Sequence, residues 1–202
     1  MDSVIHPADP MRDWSAYNAA QAARARPREL LGPALAAAGT AQGRVAVEIG
    51  CGAGIEALEM ARAGWSVRTY DRDPSVVPLI AEIGRRWPVV HTQVDIAALK
   101  TLPQAGLIFS SAALPYIARS GFPALWQLLV SALLPGGVLA VDLFGDRDEW
   151  SSGPGTYLTR AEVECLASGL ETLRLDEEEY DGPAFSGPKH WHLFTLIARR
   201  PA

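Results

Sequence analysis

The stretch Val45-Ala46-Val47-Glu48-Ile49-Gly50-Cys51-Gly52-Ala53-Gly54 decides how the chain reads. An apolar run, broken only by Glu48, ends in three alternate glycines. Ile55-Glu56-Ala57-Leu58-Glu59-Met60-Ala61 follows, with helix-forming composition and apolar spacing. The order is therefore buried strand, tight glycine turn, helix. Glycine lacks the Cβ that would collide with a ligand, so such a turn brings bare backbone close to one. The helix start beyond it offers unpaired N–H groups.

Two ligand classes use this arrangement. Dinucleotides want G-x-G-x-x-G, with the pyrophosphate over the helix N-terminus. In this chain the spacing is G-x-G-x-G, and Ile55 stands where the third dinucleotide glycine would be. Glu48, just ahead of the glycines, fits poorly beside a polyanion and suits a cationic ligand better. The string E-x-G-x-G-x-G resembles motif I of the class I methyltransferases that use S-adenosylmethionine, a cofactor with a sulfonium and an ammonium and no phosphate.

The totals set bounds. A chain of 202 residues is one domain's worth, and 49% apolar with 20% charged residues is globular rather than disordered. A formal net charge of −5 disfavours a nucleic-acid surface. Arg24, Arg26 and Arg28 form the densest basic group and read as a solvated helix face. Cys51 and Cys165 form no disulfide framework. No signal core and no membrane-spanning run is visible, so a reducing cytoplasm is expected, with no membrane partner. Nothing in the sequence sets the oligomeric state.

Along the chain, helices are expected over Asp13 to Ala25, with Trp14 and Tyr17 on one face, and over Arg28 to Ala38. They either cap a pocket or cover a sheet. The first strand is Arg44 to Ile49, and its helix stops at Gly64. The second strand is Ser66 to Tyr70, followed by a helix from Pro74 to Trp87. The third is Val89 to Val94, then a short helix; the fourth is Leu107 to Ser110. A helix over Gly121 to Leu134 stops at Pro135-Gly136-Gly137, before a fifth strand, Val138 to Leu143. A loop from Phe144 to Leu158 leads to a capping box, Thr159-Arg160-Ala161-Glu162, that opens a helix to Ser168. The sixth strand is Glu171 to Tyr180, the loop Asp181 to Lys189 is rich in glycine and proline, and the seventh strand is His190 to Arg199.

Strand–helix alternation implies a doubly wound parallel sheet with helices on both faces. A short loop cannot make a parallel crossover, so the seventh strand runs antiparallel to the sixth. This α/β reading gives seven strands, mostly parallel with the last reversed, in one domain over 1–202: a helical cap over 1–43 and a Rossmann-like core over 44–202. The terminal reversal is a further resemblance to the methyltransferase fold. With Leu134-Pro135-Gly136-Gly137, Asp71 and Asp95, the resemblance covers Arg44 to Arg199. The finer pattern resembles small bacterial methyltransferases of the tellurite-resistance and thiopurine type. It rests on Ala113-Leu114-Pro115-Tyr116, Phe144-Gly145-Asp146-Arg147-Asp148-Glu149-Trp150 and Lys189-His190-Trp191-His192. The N-P-P-Y or D-P-P-Y signature of amino-methylating enzymes acting on bases or glutamine is missing, with Ser110-Ser111-Ala112-Ala113 in its place.

Ligands of open parallel sheets sit beyond the carboxyl ends of the strands, which gathers Gly50, Asp71, Asp95, Ser110 and Phe144 on one rim. A carboxylate at Asp71 can accept from two ribose hydroxyls, in NAD as well as in S-adenosylmethionine. The resemblance implies that Asp95 accepts from the adenine amino group, with the Ile96 N–H nearby. It also implies that the Gly50 carbonyl meets the ammonium and that Glu48 acts near the methionine end. Trp14, Tyr17, Cys51, Gly52, Gly54 and Arg72 complete the cofactor candidates. His190 and His192, two apart and so on one strand face, are the candidate bases, with Tyr116. Substrate contacts are expected from Tyr116, Arg147, Trp150, His190 and Trp191, and no metal site is completed by spacing. The resemblance implies methyl transfer to a small-molecule acceptor. Three alternatives stay open: an NAD-dependent oxidoreductase, a cofactor-holding protein that catalyses another reaction, and a non-catalytic partner.

Overall fold

The computed structural model describes residues 14–24 and 26–202. An eight-stranded sheet runs in the order β3-β2-β1-β4-β5-β8-β7. Its strands are β1 (Val45–Ile49), β2 (Ser66–Asp71), β3 (Val89–Gln93), β4 (Ala105–Ser110), β5 (Leu133–Gly145), β7 (Glu171–Ala184) and β8 (Gly187–Arg199). A two-residue strand, β6 (Tyr157–Leu158), pairs with the end of β5. β1 to β5 are mutually parallel, whereas β8 is antiparallel to both β5 and β7.

Strand side chains alternate between two faces, and each face has its own core. Ala46, Leu107, Phe109, Val138 and Ala140 pack against α2 (Leu31–Ala38), α3 (Ile55–Arg62) and α4 (Val77–Gly84). Val47, Ile49, Ile108, Leu139 and Val141 pack against α5 (Phe122–Ala132) and α6 (Arg160–Leu166). The sequence supplies both stripes because strands buried on both faces are apolar throughout.

The N-terminal helices have different jobs. α1 (Ser15–Ala22) docks on the 3-10 turn Pro74–Val76: the Trp14 N–H donates to Asp73 Oδ2 (3.1 Å) and Asn18 Nδ2 to Ser75 Oγ (3.2 Å). α2 lies over β4 and β5 and covers the sheet. Asp13 and Ala25, the expected ends of the first helix, and the rest of the expected cap before Trp14 lie outside the described residues.

Three of the departures from the expected element boundaries have a clear packing reason. The helix after β2 is a 3-10 turn followed by α4, which ends at Gly84. There a Cβ would stand 2.8 Å from the Val89 carbonyl oxygen. Leu133 is already extended and pairs with Ala105, residues 134–137 bulge, and Val138 resumes pairing with Leu107. Gly137 fits the bulge because a Cβ would lie 2.9 Å from the Ala105 oxygen. The expected loop Asp181 to Lys189 is the continuation of β7 and β8, turned by Phe185-Ser186. Beyond Phe144, where β5 stops pairing with β8, each arm of the hairpin has one neighbouring strand, so Pro183 and Pro188 interrupt no central ladder.

The capping box forms: Thr159 Oγ1 accepts from the Glu162 N–H, and Glu162 Oε2 accepts from the Thr159 N–H (2.8 Å). Thr159→Ala is expected to lower stability by about 1 kcal/mol, a fall in Tm of roughly 2–4 °C in thermal denaturation.

Candidate active site

At the β1–β4 crevice, where the strand order reverses, a cavity of about 380 Å³ opens beyond the carboxyl ends of the strands. The glycine turn forms its floor. Gly50 (φ +71°) and Gly52 (φ +48°) are left-handed and line it. A Cβ on Gly50 would stand 2.2 Å from the Ala113 Cβ, so the turn and the segment after β4 can meet only at glycine. Gly54 (φ +76°) is glycine for another reason. A Cβ there would lie 2.3 Å from Ile80 Cδ1, so this residue seats α3 on α4 and does not reach the cavity.

Charges are concentrated at the turn. Glu48 shares a face with Ala46, is 2% exposed and lines the cavity. Its Oε2 has no hydrogen-bond partner among the described residues. Burial, then the charges of Glu56 and Asp71, push its carboxyl well above the usual range, against the pull of Arg24 and Arg28. Glu56 is occupied: its Oε1 accepts from Arg24 Nη2 (2.6 Å) and from the Arg28 N–H (2.9 Å). Arg24 keeps a second buried nitrogen, Nε, without a partner among the described residues. Asp71 is held by backbone: Oδ2 accepts from Gly52 N (3.0 Å) and Oδ1 from Asp73 N (2.9 Å). That fixes the carboxylate against the turn with lone pairs to spare. Burial, with the charges of Glu48 and Asp71, pushes the Cys51 thiol well up, so it stays protonated at neutral pH.

The remaining walls come from three elements. Docking of α1 places Trp14 and Tyr17 over the cavity. The Trp14 ring meets Tyr17 (5.6 Å between centroids) and Tyr116 (4.9 Å), and Tyr17 meets Phe185 at the hairpin tip (5.5 Å). Arg28 Nη2 donates to the Tyr17 hydroxyl oxygen (2.7 Å). Arg72, Asp95 and Ile96 line the side beyond β2 and β3, where Asp95 caps a 3-10 turn by accepting from Ala97 N (3.0 Å).

Several residues singled out in the sequence sit elsewhere, and strand alternation explains most of them. Ser110 follows Ile108 to the α5 face, where its hydroxyl donates to the Ile49 oxygen (3.0 Å) and is fully buried. His190 and His192 follow Phe194 and Leu196 to that same face, away from Glu48. His192 is fully buried beside Gly145, whose Cβ would lie 1.9 Å from the ring. The Arg147 N–H donates to its Nδ1 (3.1 Å), and its Nε2 lies 3.0 Å from both Glu177 Oε1 and Arg147 Nη2. Arg147 also spans Glu177 and Glu179 on the surface (2.9 Å each). His190 is bridged by Asp181 (2.7 Å) and Glu179 (3.1 Å), which raise its pKa. Trp150 and Trp191 pack with Phe144 around the buried Lys189 ammonium, which is paired with Asp148. This box ties the β5–β6 loop to the hairpin and is not part of the cavity. Of the candidate bases, Tyr116 alone lines the cavity. Among the described residues no group of three or more His, Cys, Asp or Glu is arranged to hold a metal ion, and no helix is long and apolar enough to cross a membrane.

Other residues enter that the sequence did not mark. Asn18, Arg24, Arg28, Glu56 and Ser111 line the cavity, and Ser111 Oγ donates to Asp142 Oδ2 on β5 (2.5 Å). Ser111 was findable by register. Glu48 pairs with Phe109 in parallel strands, so the two share a face, and Ser111 lies two residues further on. Arg24 and Arg28 carry no such signal, because only the docking of α1 brings them to the turn.

The chain has the Rossmann-like fold of the class I methyltransferases. No family model and no curated protein matches its sequence. Among solved structures it is similar to TehB from Haemophilus influenzae, with TM-score 0.72 and 17% identity over 84% of this chain. It spans 62% of that TehB chain. It is also similar to the N-methyltransferase NodS from Bradyrhizobium japonicum in complex with S-adenosyl-L-homocysteine, with TM-score 0.69 and 17% identity, over 95% of this chain and 100% of that one. The [4+2]-cyclase SpnF is similar too, with TM-score 0.63 and 19% identity, over 99% of this chain and 88% of that one.

Proposed function

We propose that this chain is an enzyme that binds S-adenosylmethionine and transfers its methyl group to a small-molecule acceptor. The observation that carries the proposal is the buried Glu48 Oε2 beneath a glycine turn, which has no partner among the described residues. Leaving a carboxylate oxygen unsatisfied in a buried site is expensive, and a cationic ligand relieves that cost. Arg24, whose buried Nε also has no partner among the described residues, lines the same cavity with the opposite charge. Together they suit the ammonium and carboxylate of an amino-acid end. Asp71 suits ribose hydroxyls, and Asp95 with Ile96 suits the adenine. A diphosphate on this turn would stand against Glu48, which disfavours NAD. The similarity to TehB and NodS supports the reading at the level of fold.

When bound, the cofactor supplies an electrophilic methyl group. The chain's part is to align an acceptor and keep water out. Trp14, Tyr17 and Tyr116 form an aromatic wall for that purpose, closed by Phe185. Positioning alone can supply roughly 7–11 kcal/mol of barrier reduction. The similarity to SpnF supports a second reading, in which the same cofactor is held for another reaction.

S-adenosylhomocysteine is expected to bind in calorimetry, and NADH to leave its fluorescence unchanged on titration. No heat at millimolar S-adenosylhomocysteine would overturn the cofactor assignment. Acceptor-dependent release of S-adenosylhomocysteine from S-adenosylmethionine separates transfer from the second reading.

A further inference from the structure

Ser111 and Asp142 form a half-buried pair that the cofactor assignment does not use. Ser111 lines the cavity at the end of β4, and its hydroxyl donates to Asp142 Oδ2 (2.5 Å). Thr195 Oγ1 on β8 donates to Asp142 Oδ1 (3.1 Å), so both carboxylate oxygens are fixed. With its proton committed to Asp142, the Ser111 oxygen has lone pairs left to accept from a group in the cavity. The next residue, Ala112, is left-handed (φ +56°) although it carries a Cβ, which is strain of the kind that persists where surrounding structure imposes it. Asp142 shares the Glu48 face with Ala140, and the charge of Arg28, another cavity residue, acts on it.

We infer that Ser111 and Asp142 form a proton relay for an acceptor that must lose a proton on methylation: a hydroxyl, an amine or a thiol. This rests on the methyl-transfer reading above. As the acceptor atom forms its bond to the methyl carbon, the donor's S–C bond breaks with its electron pair left on sulfur. The acceptor's proton passes to Ser111 Oγ, and the serine's own proton passes to Asp142, which later returns it to solvent. Ser111 is the catalytic residue and Asp142 positions it and stores the proton. Burial raises the Asp142 carboxyl above the usual aspartate range; Ser111, Thr195, Arg28 and Arg174 pull it down, and Tyr180 is the other titratable group that feels it. A carboxyl raised in this way is a better proton acceptor than a surface aspartate.

Two measurements test the relay. The first needs neither cofactor nor acceptor: an infrared titration of the protonated-carboxyl stretch in the ¹³C-aspartate-labelled full chain. One carboxyl is expected to titrate above the ordinary aspartate range and to vanish in Asp142→Asn. In Ser111→Ala it should titrate about one pH unit higher, since a donor worth roughly 1.4 kcal/mol is lost. An unchanged titration in Ser111→Ala would overturn the pairing. The second measurement compares a phenol protonated at the assay pH with a nitrophenol ionised at it, each as acceptor with saturating S-adenosylmethionine. Asp142→Asn is expected to lower kcat about 10²- to 10⁴-fold for the phenol, to change the nitrophenol rate by less than about threefold, and to leave S-adenosylhomocysteine affinity unchanged. Equal losses with both, or turnover of neither by the wild type, would overturn the relay. Wild type that binds no S-adenosylhomocysteine would instead overturn the cofactor reading, and the infrared result would still report on the pair.

Discussion

Gly50→Ala is expected to abolish S-adenosylhomocysteine binding and to lower Tm by roughly 6–12 °C. Two effects add. The residue is left-handed (φ +71°), which costs an L side chain about 1–2 kcal/mol. The new Cβ would also stand 2.2 Å from the Ala113 Cβ, where neither atom belongs to a flexible side chain, so backbone must move. Overpacking of that kind costs about 1–3 kcal/mol, and the total, about 3 kcal/mol, converts to the stated fall in Tm. Relief comes by pushing the turn away from residues 111–113, which deforms the cavity floor. Gly136→Ala is the control: φ is +74°, but nothing lies within 4 Å of its Cβ, so strain acts alone. It should lower Tm by roughly 2–4 °C and leave binding intact. Calorimetry and thermal denaturation of both variants check the pair of results. Normal binding by Gly50→Ala would mean that the turn is not the floor of the ligand site.

Glu48→Gln is expected to weaken S-adenosylhomocysteine binding about 10- to 100-fold while making the ligand-free chain more stable wherever the wild-type carboxyl is ionised in the fold. A hydrogen bond to a charged partner is worth about 1.5–3 kcal/mol, and the amide keeps the shape without the charge. The pH dependence has two opposite signs. The Glu48 carboxyl is raised well above its usual value of 4.5 in the fold. A folded-state pKa above the unfolded one gives stability that is fully present below the unfolded value and is lost as pH rises through the folded value. The ligand-free chain should therefore lose stability on that rise. Ligand affinity should gain over the same window, because the ammonium needs the ionised carboxylate. Both slopes should flatten in Glu48→Gln. Denaturant titrations and calorimetry across pH measure them, and an affinity that is independent of pH in the wild type would remove Glu48 from the ligand.

Most of the fold was legible because it is local. The glycine turn, the capping box at Thr159 and the two-sided apolar strands each follow from a few adjacent residues. The half of the site at the ends of β1, β2 and β3 was legible for the same reason: Glu48, Gly50, Asp71 and Asp95 each end or flank one strand, and parallel strands bring their ends to one rim. The remaining candidates were not. Ser110 and Ser111 are adjacent serines, and the choice between them depends on which face the strand presents. His190 and His192 share a face, but the sequence does not say that it is the α5 face. The hairpin looked like a glycine-proline loop, whereas pairing between its own arms makes it strand as far as Ala184 and Gly187.

By itself, then, the amino-acid order determined the doubly wound sheet, its reversed last strand and a glycine turn with an acid just ahead of it, since each depends on residue type and near-neighbour spacing. The tertiary structure decided which side chains face the cavity. It brought Arg24 and Arg28 to Glu56 and left Glu48 Oε2 without a partner among the described residues. It also set Asp142 behind Ser111, 31 positions away in the chain. Those contacts depend on the docking of α1 and the register of β4 on β5, and packing between distant segments fixes both.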